Sequence, residues 1–252
     1  MVSLSNREEE CDFDLRMQSE GVLKYKAVLE KKKASLVLKR AFDIFCSLIL
    51  LVLLSPAIFI IAVLIKLDSP GHIVFKQKRI TKNAKPFYIY KFRTMVENAE
   101  SLGTQVTVKH DARVTRVGHT LRKYRLDELL QLVNILKGEM SFVGTRPEVE
   151  KYVAAYSDEM FATLLLPAGV TSLSSIYYKD EERLLSESEN ADETYINEIL
   201  PKKMEYNLAY LMNFTFIQDL KLMFMTVLAV CGKSYGSVQD EQNWKRNEVL
   251  TK

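Results

Sequence analysis

The chain has 252 residues, long enough for one large domain or two small ones with a sizeable core. Thirty-five Lys and Arg against 32 Asp and Glu leave a formal charge of +3, so near to neutral that a global nucleic-acid footprint is excluded and no nucleic-acid partner is expected. Three cysteines, Cys11, Cys46 and Cys231, lie far apart with neither metal-ligand nor disulfide-framework spacing, which fits a reducing compartment.

The first 20 or so residues are polar and acid-rich. Asp12-Phe13-Asp14 has the form of a metal-binding acid pair, but no strand pattern precedes it, and a solvated tail is expected. Val22 to Leu38 suits a basic helix, with Lys31, Lys32, Lys33, Lys39 and Arg40 leading to the only long apolar run, Ile44 to Ile65. The layout is not that of a signal peptide. A run of on the order of 20 apolar residues is long enough to cross a bilayer as a straight helix. Two features favour a helix–break–helix that enters and leaves on one side. Ser55-Pro56 sits mid-run, where proline removes a backbone hydrogen bond, and both flanks are basic, the mark of the cytoplasmic side. On these features alone a spanning helix and a buried soluble helix stay open.

Beyond Ser69-Pro70-Gly71 the pattern becomes that of a mixed globular domain. Ile73–Phe75 and Phe87–Tyr90 read as short strands, and Lys91 to Met95 leads into a helix through Ala99. Asp111 to Gly118 is a polar loop. The stretch Leu121 to Pro147 concentrates the candidate chemistry: Asp127 and Glu128 are adjacent at the mouth of an apolar helix closed by Gly138, with Arg122 and Arg125 before them and Arg146 after. Paired carboxylates can bind a divalent cation or supply a nucleophile, and arginines hold phosphate oxygens. Asp127 equally fits a plain N-cap, with Glu128 favoured by the helix dipole. Helices are expected over Glu148–Tyr156 and Met160–Leu165, then a loop from Pro167 to Ser175, a strand at Ile176–Tyr178 and a polar acidic segment from Asp180 to Glu193. A helix from Tyr195 to Tyr210 is interrupted near Pro201. Leu220 to Cys231 is too short to span a bilayer and is either packed or interfacial.

Several motifs in order resemble the bacterial sugar transferases that are monotopic phosphoglycosyl transferases. They are Lys39-Arg40-x-x-Asp43, Ser55-Pro56, Ser69-Pro70-Gly71, Phe75-x-Gln77-x-Arg79, Lys91-Phe92-Arg93-Thr94-Met95, Asp111-x-Arg113-x-Thr115-x-x-Gly118, Leu126-Asp127-Glu128-Leu129 and Arg146-Pro147. Together they run from Lys39 to Ser175. Departures are Leu130 where the family has proline, Thr145 in the Gly-Pro-Arg-Pro turn, Glu139 in Gly-Asp-Met-Ser, and Ser172 in the Pro-Gly-Ile/Val-Thr-Gly loop. The last puts the sugar or uridine pocket in doubt.

The resemblance implies an α+β fold, mostly helical, with a re-entrant membrane helix-break-helix and a compact cytoplasmic catalytic domain containing short strands. The expected divisions are a polar extension (1–35), the membrane hairpin (36–67), the catalytic domain (68–235) and a polar tail (236–252) that is expected to be mobile. The implied reaction moves a sugar-1-phosphate from a UDP-sugar to polyprenyl phosphate, releasing UMP, by ping-pong kinetics at the cytoplasmic face of a bacterial inner membrane. Asp127 would be the nucleophile and Glu128 the Mg²⁺ ligand. Arg122 and Arg146 would lead in phosphate binding, with Lys91 and Arg93 supporting, and Asp111 and Arg113 are further substrate-binding candidates. A non-catalytic membrane scaffold and a Mg²⁺-dependent lipid diphosphate hydrolase are the alternatives. Homo-oligomerisation is left open.

Overall fold

The computed structural model describes residues 12–99, 111–178, 185 and 190–232. The fold over these residues is a mostly helical α+β arrangement around two small sheets. Helix α1, Glu20–Glu30, turns at Lys31-Lys32 into the 36-residue helix α2, Lys33–Asp68. The hairpin of β1, Val74–Ile80, and β2, Pro86–Phe92, is antiparallel, with Phe75 opposite Lys91 and Gln77 opposite Ile89. Both strands run past the bounds expected from sequence.

The segment from Asp12 is not a solvated tail. Phe13 is buried against Phe161 at a ring-centroid distance of 5.6 Å, and Val22, Tyr25 and Leu29 of α1 join the same core. The helix expected through Ala99 does not start at Met95, which instead bridges Val114, and Glu97 and Asn98 form a turn.

Helix α2 is helical through Pro56, so the expected break is not an interruption of the helix. Proline leaves the carbonyl four residues back, that of Val52, without its usual donor. The Ser55 hydroxyl fills the role, donating to Val52 O at 2.8 Å. At a rise of 1.5 Å per residue the helix is about 54 Å long, well beyond the ~30 Å of a bilayer's hydrocarbon core. One stripe, through Lys39, Asp43, Ser47, Leu54, Ile58, Ile61 and Ile65, faces the domain. The opposite side leaves Phe45, Val52, Leu53, Phe59 and Leu67 between 65% and 79% exposed.

The start of α2 is fixed by charge. Lys39 Nζ donates to Asp219 Oδ2 at 2.6 Å and to Val143 O at 2.7 Å, and Tyr210 OH donates to Asp219 Oδ1 at 2.6 Å. Arg40 donates to Ile135 O and Leu136 O at 2.6 and 2.8 Å, closing the C-terminus of helix α4, Gln131–Lys137. Asp43 accepts from Phe142 N at 3.2 Å in strand β3, Met140–Val143. The Lys-Arg-x-x-Asp motif thus ties the apolar helix to the two elements that flank the carboxylate pair.

Before α4 lies helix α3, Arg116–Lys123, N-capped by Thr115, whose hydroxyl accepts from Gly118 N at 3.0 Å. Beyond β3 come α5, Glu150–Ala154, and a 3₁₀ turn at Met160–Leu165. The region read as a loop holds β4, Ala168–Thr171, parallel to β3, and the region read as a strand is helix α6, Leu173–Tyr177. Ser172 explains the reversal: its hydroxyl accepts from Ser175 N at 3.0 Å as an N-cap. Helix α7, Leu200–Met212, follows without a gap on a π-helical turn at Tyr195–Ile199, so the expected irregularity near Pro201 is a change of helix type rather than a break. Helix α8, Phe216–Val230, both packs and exposes an apolar stripe through Ile217, Leu220, Phe224 and Val227. The tail after Gly236 and most of Asp180–Glu193 lie outside the described residues.

Both Lys39 and Asp219 are buried, so Lys39→Met leaves a charge without its partner. It should destabilise the protein by about 3–5 kcal/mol, whereas Lys39→Met/Asp219→Leu should recover much of that loss. Chemical denaturation in detergent checks this; a single variant as stable as the wild type would contradict the clamp.

Candidate active site

Asp127 and Glu128 sit in a 3₁₀ turn, Leu126–Leu130, that feeds α4. Neither caps the helix: the residue before the turn is Arg125, in the left-handed region at φ 57°, and the turn has no side-chain cap. That conformation is uncommon for a residue with a Cβ and marks a locally constrained backbone.

Three structural devices bring cations to the pair. Asn134 of α4, fully buried, accepts from Tyr90 N at 3.0 Å and donates to Tyr88 O at 2.8 Å. It thereby satisfies the edge of β2 as a further strand would. This fixes β2 beside the turn and puts Lys91 Nζ 3.0 Å from Glu128 Oε1. On the other side β3 and β4 approach so closely that a Cβ on Gly169 would lie 2.2 Å from Gly144 N and O. Only glycine allows that contact, and the turn that follows delivers Arg146 Nη2 to the same Glu128 Oε1 at 2.8 Å. The third device is the N-cap of α3, after which Arg122 donates to Thr94 Oγ1 at 2.9 Å and faces the cavity.

A cavity of about 1140 Å³ opens over these groups, reaching from Arg93 and Arg122 past Asp127 and Glu128 to Arg79, Glu148 and Tyr195. Burial works against the charge on Glu128, but Arg146 and Lys91 outweigh it and hold its pKa well below the usual carboxylate range. Asp127 behaves oppositely. Burial raises its pKa; Lys91 opposes this, and the charge of Glu128 adds to it. Its carboxylate accepts no hydrogen bond from the described residues, so its basicity is not spent. Lys91, half-buried, has a pKa lowered by desolvation despite Glu128 beside it.

The other expected site residues divide. Arg93 lines the cavity yet donates to Ser69 O, Ser69 Oγ and Pro70 O, all at 2.8 Å, and so anchors the Ser69-Pro70-Gly71 turn. Arg113 lines the cavity and forms an ion pair with Asp111 at 2.6 Å. Ser55 and Pro56 are remote, on α2. Sequence reasoning missed Lys203 and Glu148. Lys203 Nζ donates to Tyr195 OH at 2.9 Å and lies 3.7 Å from Glu148 Oε1, which Tyr195 OH also contacts. A lone lysine in an amphipathic helix gives no sequence signal. Arg79, 3.8 Å from Glu148 Oε2, was signalled by its Phe-x-Gln-x-Arg motif. The departure at Ser172 does not touch this cavity, since Val170 and Thr171 line a second one.

Metal binding can be judged from the carboxylates. Among the described residues no three His, Cys, Asp or Glu converge on one point. Both hydrogen bonds to Glu128 fall on Oε1, leaving Oε2 directed elsewhere. One or two carboxylates completed by phosphate oxygens and water is the usual donor set of Mg²⁺, so the pair fits an ion held jointly with a phosphorylated ligand.

Asp127 should titrate above the ordinary aspartate value in ¹³C-aspartate NMR. Glu128→Gln, removing a neighbouring anion, should lower that value, and Lys91→Met, removing a cation, should raise it. Titration of wild-type Asp127 at or below the ordinary value would contradict the geometry.

Comparison with known proteins gives the family of the chain. The model of the bacterial sugar transferase family matches residues 34–233. A "UDP-N-acetylgalactosamine-undecaprenyl-phosphate N-acetylgalactosaminephosphotransferase" of Aeromonas hydrophila is 37% identical over 197 residues, covering 77% of this chain and 43% of that protein. A "UDP-glucose:undecaprenyl-phosphate glucose-1-phosphate transferase" of Escherichia coli (strain K12) is 35% identical over 196 residues, 76% of this chain and 39% of that protein. The chain therefore spans less than half the length of these two relatives. It covers more of "Exopolysaccharide production protein ExoY" of Sinorhizobium fredii, with 34% identity over 208 residues, 77% of this chain and 85% of that protein. The chain belongs to the bacterial sugar transferase family.

Proposed function

We propose that the protein transfers a sugar-1-phosphate from a UDP-sugar to polyprenyl phosphate and releases UMP, as a membrane step of exopolysaccharide assembly. The observation that carries this reading is Asp127: a buried carboxylate with a raised pKa and no hydrogen-bond donor among the described residues, set among cations in a cavity large enough for a nucleotide sugar. The relatives' printed names supply the substrate classes, a UDP-sugar and undecaprenyl phosphate.

In this account a carboxylate oxygen of Asp127 attacks the sugar-bearing phosphorus. The bond from that phosphorus to the bridging oxygen breaks, and UMP departs with the oxygen. The chain then holds the sugar phosphate as an acyl phosphate on Asp127. A phosphate oxygen of the lipid attacks the same phosphorus, the bond to Asp127 breaks, and the carboxylate is regenerated; two displacements give ping-pong kinetics. Arg146, Lys91 and Arg122 offset the repulsion between the anionic nucleophile and an anionic diphosphate, which at ~4 Å is on the order of 4 kcal/mol per charge pair near a protein surface. Glu128, through Oε2, would hold Mg²⁺ together with the donor's phosphate oxygens. When bound, the ion neutralises charge that develops on those oxygens.

The outer face of α2 has the composition of a lipid contact. This long helix, with basic residues at both ends, would bend at Ser55-Pro56, where the proline removes a backbone hydrogen bond without ending the helix, and so enter one leaflet and return. It would hold Asp127 near the head groups on the cytoplasmic side.

The test of the reaction is UMP release from a panel of UDP-sugars with Mg²⁺, with and without polyprenyl phosphate. Sustained release should need the lipid, occur with at least one donor, and fall by at least 10³-fold in Asp127→Asn. Activity of Asp127→Asn near that of the wild type would overturn the assignment. For topology, tags at residues 1 and 252 should both be accessible only from the cytoplasm; tags on opposite faces would replace the re-entrant reading with a spanning one.

A further inference from the structure

The carboxylate turn borders two cavities. The second, about 610 Å³, shares Lys123, Arg125, Glu128, Arg146 and Lys203 with the larger one. Among the described residues these five are the only charged groups in its lining, and they give the shared neck a net excess of three positive charges. Away from the neck the walls turn apolar: Leu50 and Leu54 of α2, Val170 of β4, Ile176 of α6, and Ala229 and Val230 of α8. No such change of character occurs in the larger cavity, whose lining carries charge from Lys76 and Arg93 to Glu148.

Four of these six wall residues, Leu50, Leu54, Ala229 and Val230, belong to the two helices with bare outer faces. Beside Leu54, Val52 and Leu53 are 66% and 68% exposed; beside Ala229, Val227 and Val230 are 59% and 52% exposed. The cavity therefore joins a cationic end at the carboxylate turn to the apolar surface of the molecule. A ligand that matches it has one compact anionic head and a flexible hydrocarbon tail. A nucleotide sugar lacks the tail, and a water acceptor would need no apolar wall.

We infer that the second cavity is the acceptor site: a prenyl phosphate lies with its phosphate at Arg125, Arg146 and Lys203 and its first isoprene units along Leu54, Val170 and Ala229. The inference rests on the transfer reaction proposed above and gives each substrate its own entrance. The donor occupies the larger cavity and UMP leaves through it. The lipid reaches the phosphorus held by Asp127 from the other side of the neck. Its phosphate oxygen forms the new bond as the bond to Asp127 breaks; a phosphate monoester dianion has no proton to lose in that step.

Filling the cavity separates the two halves of the reaction. In nanodiscs, full-length Ala229→Trp and Val170→Trp should release UMP in a single turnover without acceptor within twofold of the wild type. Their KM for polyprenyl phosphate should rise at least tenfold. Val227→Trp, on the outer face of α8, should change neither. Binding is measured separately with a fluorescent geranylgeranyl phosphate. The probe should be displaced by unlabelled geranylgeranyl phosphate but not by inorganic phosphate, geranylgeraniol or phosphatidylglycerol, and should bind the two filled variants at least tenfold more weakly. If the wild type binds the probe in this way yet releases no UMP, the acceptor site stands and the transfer reading falls. Unchanged acceptor KM and unchanged probe binding in both filled variants would overturn the site, as would loss of the acceptor-free UMP release in both.

Discussion

Two adjacent carboxylates buried in one turn cannot both keep their charge unless cations are brought to them, and much of the fold is arranged to do that. Asp127 and Glu128 are each less than a tenth exposed. Lys91 comes from a hairpin and Arg146 from the turn after a parallel strand, and both reach the same oxygen of Glu128. The cations are spent unequally. Glu128 takes the direct contacts and stays ionised, while Asp127 feels them only through space and keeps a raised pKa. One carboxylate is thereby suited to binding and the other to bond formation, a division of labour set by environment rather than residue type.

The same residues connect the site to the apolar helix. Lys39, Arg40 and Asp43 contact the end of β3, the end of α4 and Asp219 of α8, so the long apolar helix is tied to the elements on either side of the carboxylate turn. In the proposed transfer, this anchoring sets the position of Asp127 relative to the exposed apolar face of α2. It also explains why charged side chains are buried at the start of an otherwise apolar helix: each is paired, as burial demands.

Much of this was legible in the residues. The apolar run, the hairpin and the helix closed by Gly138 follow from periodicity, because each is a local pattern, whereas the grouping of Asp127 and Glu128 with Lys91 and Arg146 follows from the family resemblance alone. The reading failed where long-range pairing decides. Ala168–Thr171 is a strand because Gly169 meets Gly144 across the sheet, a contact separated by 25 positions and invisible in the local sequence. Ile176 and Tyr177 have strand-like side chains, yet the cap at Ser172 makes them helical. Phe13 looked solvated for want of knowing that Phe161 would meet it. Asp127 had the sequence position of an N-cap, and only the left-handed Arg125 shows why it is not one. Lys203 reaches the site from a helix about 75 residues downstream of the carboxylate pair, with nothing in its neighbours to mark it.

Everything in this account turns on one bond, that between Asp127 and the phosphorus of the sugar phosphate. Mass spectrometry of protein quenched in acid after mixing with Mg²⁺ and the accepted UDP-sugar, without lipid, tests it directly. The expected result is a mass increase of one sugar phosphate on the peptide carrying Asp127, removed by hydroxylamine and by added polyprenyl phosphate, and absent in Asp127→Asn. Full lipid-dependent turnover with no such adduct at any quench time, or an adduct on a different residue, would contradict it.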